Sequence, residues 1–185
     1  MATNLSATIN LTGGGSYSNA LDLTTPVDRV TIGGGTSGSS AMSAIQFAVI
    51  NGTGSSQADL WFHDERSVTT GNNDNLDLAG VLINPITGAV LTFVEIRLIL
   101  IRIISPDGTK SLRIGPQGVA NAWQGPWGGT GATVYDTVHD IFLRWNRYDG
   151  GLVTAVTAGS ADLLVISNQS GVTVVYDVWI IGTSA

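Results

Sequence analysis

Phe93-Val94-Glu95-Ile96-Arg97-Leu98-Ile99-Leu100-Ile101-Arg102-Ile103-Ile104 is the stretch on which the fold turns. Successive side chains of a strand point to opposite faces. Glu95, Arg97, Ile99, Ile101 and Ile103 therefore fall on one side, and Val94, Ile96, Leu98, Leu100, Arg102 and Ile104 on the other. Both sides are largely apolar. Such a strand is either central in a two-layer core or covered on one face by a neighbouring subunit. With charged residues at only 12% of the chain, subunit contact is the favoured reason. A membrane-spanning reading fails, because Arg97 and Arg102 interrupt the run and it falls far short of the roughly 20 apolar residues a spanning helix needs.

On either side of this stretch the chain alternates apolar runs with turn clusters. Residues 44–50 and 58–62 flank Asn51-Gly52-Thr53-Gly54, and residues 76–83 end at Asn84-Pro85. The central run, residues 90–104, ends at Ser105-Pro106-Asp107-Gly108, the clearest hairpin signal in the chain. Then come residues 110–114, a long Gly/Pro/Trp loop, and residues 133–145, 152–156, 162–167 and 172–181, with Tyr148-Asp149-Gly150-Gly151 and Asn168-Gln169-Ser170-Gly171 as turns. Turns at intervals of about ten residues, β-branched enrichment and no sustained 3.6-residue apolar period predict an all-β fold. The expected form is a single β-sandwich/jelly-roll or barrel-like domain with an extended N-terminal arm.

The arm is residues 1–42 and the all-β domain residues 43–185. Residues 1–42 hold 20 Gly, Ser and Thr, with only Asp22, Asp28 and Arg29 charged. Leu21, Leu23, Val27, Val30 and Ile32 recur there with threonines between them, which predicts a short strand. An arm of this kind has little order of its own and can add a strand to a neighbour's open edge. Leu21, Leu23, Val27 and Val30 are therefore candidate protein-interface residues.

A net charge of −6 with a single lysine, Lys110, repels phosphate backbones and anionic membranes alike. Nucleic acid and membrane are set aside as partners. The absence of cysteine excludes disulfides and thiolate metal sites. The N-terminus, Met1-Ala2-Thr3-Asn4-Leu5, shows no basic region leading into an apolar stretch, so synthesis in the cytosol is expected.

Nothing in the chain reads as catalytic, and no cofactor or metal is expected. His63 and His139 are far apart, and the neighbours in His63-Asp64-Glu65 alternate faces on a strand. Asn72-Asn73-Asp74-Asn75-Leu76-Asp77 offers oxygen ligands for a hard cation, but it lacks the calcium-loop register and its residue types are those of ordinary turns. Gly13-Gly14-Gly15 and Gly33-Gly34-Gly35 have no Gly-Lys-Ser/Thr ending, and no Gly-x-Ser-x-Gly elbow occurs.

The loop from Gly115 to Gly129 carries Trp123 and Trp127 among residues that cannot bury them locally. Three readings are open: the pair anchors a protein interface, stacks on a sugar ring, or folds inward to cap the open end of the β-domain. Trp61, Trp145 and Trp179 fall within predicted strands and are expected in core or inter-sheet packing.

The runs Ala158-Gly159-Ser160-Ala161-Asp162-Leu163-Leu164-Val165-Ile166-Ser167-Asn168 and Val174-Val175-Tyr176-Asp177-Val178-Trp179-Ile180-Ile181-Gly182-Thr183 resemble small β-rich structural proteins of tailed bacteriophages. Gly118-Val119-Ala120-Asn121-Ala122-Trp123-Gln124-Gly125-Pro126-Trp127 is similar to the same group, so the resemblance covers the last third to half of the chain. It implies a virion component on the capsid surface: a cement or decoration protein bound to the major capsid protein, homo-oligomeric, with a trimer favoured. The alternatives are a carbohydrate-binding phage adhesin using Trp123, Trp127 and Tyr135, or a tail or neck component.

Overall fold

The computed structural model describes residues 50–84, 88–104, 106–127, 134–146 and 155–185 in full, together with the backbone of the strands between residues 7 and 49. The chain divides into two compact units, one over Ser6–Val49 and the other including Ile50–Ala185.

In the first unit, β1 (Ala7–Leu11) pairs antiparallel with β4 (Ile45–Asn51), from Ala7↔Val49 to Leu11↔Ile45. β2 (Gly13–Ser18) pairs antiparallel with β3 (Val27–Ile32), where Val27 stands opposite Ser18 and Val30 opposite Gly15. Leu21 and Leu23 lie outside the described residues.

The second unit opens with Ile50 and Asn51, the end of β4, parallel to β5 (Gln57–Ala58). Eight further strands follow: β6 (Leu60–Val68), β7 (Asn73–Asp77), β8 (Glu95–Ile103), β9 (Leu112–Ile114), β10 (Asp136–Val138), β11 (Ile141–Trp145), β12 (Leu163–Asn168) and β13 (Val174–Thr183). They form two antiparallel sheets, ordered β11-β8-β13-β6 and β10-β9-β12-β7.

The pairing runs from the outside inward. β6 pairs with β13, β7 with β12, β8 with β11 and β9 with β10, as in one long hairpin; β8–β13 and β9–β12 contacts then roll it closed. This is the double-sheet jelly roll. Its rolling explains one departure from the sequence reading. β8 and β9 belong to different sheets, so the turn after β8 closes no hairpin and instead carries the chain from one layer to the other. Asp107 Oδ1 accepts the Thr109 and Lys110 amides at 3.0 and 3.2 Å, which accounts for the turn signal without any pairing of the flanking strands. Residues 133–145, expected as one run, break at His139-Asp140 into β10 and β11 on different sheets for the same reason.

The core lies between the layers. Phe62 of β6, Val178 and Ile180 of β13, Ile99 and Ile101 of β8 and Phe142 of β11 pack against Leu76 of β7, Leu164 and Ile166 of β12, and Ile114 of β9. Burying side chains of this size contributes about 1.5–3 kcal/mol each before chain entropy is set against it.

Two polar devices tie the layers. Arg66 of β6 donates to both oxygens of Asp74 on β7, Nε at 2.6 Å and a terminal nitrogen at 2.9 Å, and Tyr176 of β13 donates its hydroxyl to Asp74 at 2.7 Å. Bidentate geometry of this kind is among the stronger protein hydrogen bonds. The Asp74 hydrogen bond raises the Arg66 guanidinium above its already high range. Burial, then the Asp74 charge, raises the Tyr176 hydroxyl. At the corner between β12 and β13, buried Asn168 donates to Val68 and Val172 carbonyls at 2.8 and 2.7 Å and accepts the Ser170 amide and hydroxyl. Its main chain meets Gly71 and Asn72 of the neighbouring β6–β7 corner.

Where β13 meets β8 the register shifts: Ile181 stands opposite Leu98, but Gly182 stands opposite Ile96, leaving Arg97 as the extra residue of a bulge. A β-carbon on Gly182 would collide with the Glu95 carbonyl and the Phe93 ring. Glycine is thus a packing requirement here.

Candidate interaction face

Alternation on four neighbouring strands decides what the sheet β11-β8-β13-β6 shows on its outer side. Phe62, Ile180, Ile101 and Phe142 point into the core, so their chain neighbours point away from it. The registers align these neighbours in three rows across the sheet. One row is Trp145–Leu98–Ile181–Trp61, the next Leu143–Leu100–Trp179–His63, and the third Ile141–Arg102–Asp177–Glu65. Eight of these twelve positions are aliphatic or tryptophan, although an antiparallel sheet of this kind commonly turns a polar face outward.

The exposure of the rows is graded. Leu98 and Ile181 are buried, Trp61, Leu100, Leu143, Trp145 and Trp179 are half-buried, and Ile141 is 53% exposed. His63 stacks on Trp179 with ring centroids 4.4 Å apart, a cross-strand pair that flattens the centre of the face. In the third row Arg102 forms an ion pair with Asp177 and places its guanidinium 5.9 Å from the Trp179 ring centroid. Its charge is thereby balanced within the face, leaving Glu65 exposed at the margin.

The other sheet behaves in the usual way. Its outer row reads Asn73–Ser167–Arg113–Thr137, polar at every position. Gln117 lies over this side and accepts the Ser167 hydroxyl at 2.5 Å. Leu163 and Val165 share the outward parity of Ser167, opposite Asp77 and Asn75, so this second face is mixed, with its four-strand row polar, where the first is mostly apolar.

The loop tryptophans follow the inward-capping reading. Trp123 is 1% exposed within the core, and Trp127 packs against it edge to face at 6.2 Å while stacking on Phe142 at 6.1 Å. Trp127 Nε1 donates to Asp136 at 2.9 Å. A surface-anchor or sugar-platform role for Trp123 gives way to this placement, because Gly125, at φ +35°, lets the chain double back over the Trp123 ring. Tyr135 is 39% exposed and lies 4.6 Å beneath the Arg113 guanidinium, so it shares no open platform with Trp123.

Trp61, Trp145 and Trp179, expected in the core, belong instead to the outer rows. The signal was present in their immediate neighbours: Trp61 precedes Phe62, and Trp179 lies between Val178 and Ile180, whose own side chains fill the core. Strict alternation leaves such a tryptophan on the opposite face.

The oxygen-rich segment is used structurally. Asp74 serves Arg66 and Tyr176, and Asp77 Oδ1 accepts the Ala79 amide at 2.9 Å. Among the described residues, no group of three or more His, Asp or Glu side chains is placed to hold a metal ion. No helix among them is long and apolar enough to cross a membrane. Comparison of the chain with protein-family models, with curated proteins and with solved structures gives no match.

Proposed function

We propose that this chain is a non-catalytic virion structural protein that decorates and stabilises the capsid shell of a tailed phage. The observation that carries the reading is the outer side of the sheet β11-β8-β13-β6, where three tryptophans and five aliphatic residues align in register across four strands. Five of these eight are half-buried and Ile141 is exposed, and partly open apolar surface rimmed by polar groups suits a protein contact. Tryptophan at its centre is the residue type most often found to dominate binding energy.

Three further points support the reading. The double-sheet jelly roll is an architecture used by viral capsid and lectin domains, although a fold by itself does not assign a role. A chain with 12% charged residues meets partners by shape and apolar burial rather than by ion pairs. The C-terminal runs that resemble phage structural proteins supply Trp179 and Ile181 to the face.

The mechanism is thermodynamic. A protein that binds the assembled lattice more tightly than its free subunits shifts the equilibrium toward the intact shell. Repetition over the lattice multiplies modest contacts, and self-association of the decorating chain, with a trimer favoured, adds avidity. The partner is the major capsid protein, and no bond is made or broken.

The test is addition of the purified chain to undecorated shells. Co-sedimentation at a fixed copy number and a higher temperature of shell disruption are expected. A chain that neither sediments with the shells nor protects them is not a decoration protein. Electron microscopy that places it on the tail or neck would assign the same chemistry to a different virion part.

A further inference from the structure

A second surface, at the β6–β7 side of the sandwich, combines features that the outer face lacks. Among the described residues β6 and β7 are each the last strand of a sheet, so each turns a row of main-chain groups away from its strand neighbour. Between them opens a cleft of about 510 Å³, floored by Phe62 and Leu76 and walled by residues 81–83. Those residues belong to a small hairpin in which Ile83 bridges Val90, and the Leu91 amide donates to the Leu82 carbonyl. Leu82 and Leu91 point into the core, whereas Val81, Ile83 and Val90 are 67, 46 and 57% exposed. Three exposed aliphatic side chains among the described residues thus stand on one hairpin, and two of them, Val81 and Ile83, line the cleft.

The charge of the cleft is not balanced. Asp64 and Asp77 line the cleft with Arg66, which is engaged by Asp64 and by Asp74 behind the lining, so the lining carries a surplus of negative charge. Asp64 uses only one carboxylate oxygen on Arg66, and Asp77 uses only Oδ1, on the Ala79 amide. Among the described residues the second oxygen of each accepts no hydrogen bond, and both residues line the cleft. Aliphatic walls, a net negative lining and two strand edges complement a cationic apolar strand and repel an acidic one.

We infer that the β6–β7 cleft binds an extended peptide segment of a partner protein, with a Lys or Arg directed at Asp64 and Asp77 and aliphatic residues against Val81 and Ile83. Strand addition at an open edge supplies main-chain hydrogen bonds, and the side-chain pockets supply selectivity. The cleft adjoins the outer apolar face at His63, which lines both, but binding in it does not depend on that face meeting a capsid.

The test uses the full chain, labelled with nitrogen-15, and three blocked pentapeptides: Val-Lys-Val-Lys-Val, Val-Glu-Val-Glu-Val and Ser-Lys-Ser-Lys-Ser. Saturable amide shifts at Asn75, Asp77, Val81 and Ile83 are expected with the first peptide only. Asp77→Asn keeps the acceptor for the Ala79 amide, and Val81→Ser changes an exposed residue, so both variants retain the fold. Each is expected to weaken binding about 10-fold, in line with the loss of one charge-assisted bond or one apolar contact. Equal binding of all three peptides, shifts confined to the outer face, no binding of the first peptide, or unchanged titrations in both variants would each overturn the inference.

Discussion

Asn168→Ala should be among the most damaging single substitutions in the jelly roll, although the residue is polar and belongs to a turn sequence. Asn168 is 0% exposed and makes four side-chain hydrogen bonds, donating to Val68 and Val172 carbonyls and accepting the Ser170 amide and hydroxyl. At about 1 kcal/mol net for each bond, and with the orphaned partners held away from water, the loss is about 4 kcal/mol. For a domain of this size that corresponds to a fall in Tm on the order of 10 °C. Gln169→Ala, one residue on and exposed, should change stability by less than about 0.5 kcal/mol. Urea unfolding followed by tryptophan fluorescence measures both. If Asn168→Ala unfolds within about 1 kcal/mol of the parent, water replaces the lost bonds and the argument that this side chain fastens two corners of the roll fails.

Gly182→Ala places a methyl group against the Glu95 carbonyl and the Phe93 ring and should cost about 1–3 kcal/mol by overpacking, read from the urea midpoint. Trp123→Ala should cost about 3–5 kcal/mol as a buried large-to-small change. Trp127→Phe keeps the ring near Phe142, loses the bond to Asp136, and should cost only about 1 kcal/mol in the same assay. Tyr176 is held above its ordinary value of 10.0 by burial and then by the Asp74 charge, so above pH 10 the unfolded chain releases this proton while the folded chain keeps it. Its contribution is complete below pH 10 and declines as pH rises, by up to about 1.4 kcal/mol per pH unit. Stability measured from pH 9 to 11 should therefore fall less steeply in Tyr176→Phe than in the parent.

The all-β class and most strand positions were legible because alternation and turn chemistry are local. Residues 162–167 and 172–181 lie within one or two residues of β12 and β13. The pairing was not legible, because a jelly roll joins strands distant in sequence and sends adjacent ones to opposite layers. The turn after Ile103 has the residues of a hairpin and the geometry of a corner, and only the long-range register separates the two. The stretch from Phe93 to Ile104 did announce two apolar faces, and the structure assigns Ile99, Ile101 and Ile103 to the core and Leu98 and Leu100 to the outer rows. The tryptophans divide: the inward placement of Trp123 is one of the three readings the sequence leaves open, whereas Trp61, Trp145 and Trp179, expected in core or inter-sheet packing, lie on the outer rows. Trp123, in a Gly/Pro loop, is carried inward by a backbone turn that composition does not reveal, while Trp61, Trp145 and Trp179, in strands, face outward by parity alone. The acidic cleft is not readable in the sequence, because Asp64 and Asp77 line one cavity only once β6 and β7 take their places at the ends of the two sheets.

Hydroxyl-radical footprinting of shells carrying the bound chain bears most directly on the proposed role. Trp61, Trp145 and Trp179 should oxidise readily in the free chain and be protected on the particle, while the side chains around Arg113 and Thr137 in the polar row react equally in both. Protection of the polar row, with the three tryptophans as reactive on the particle as off it, would contradict docking through the apolar rows.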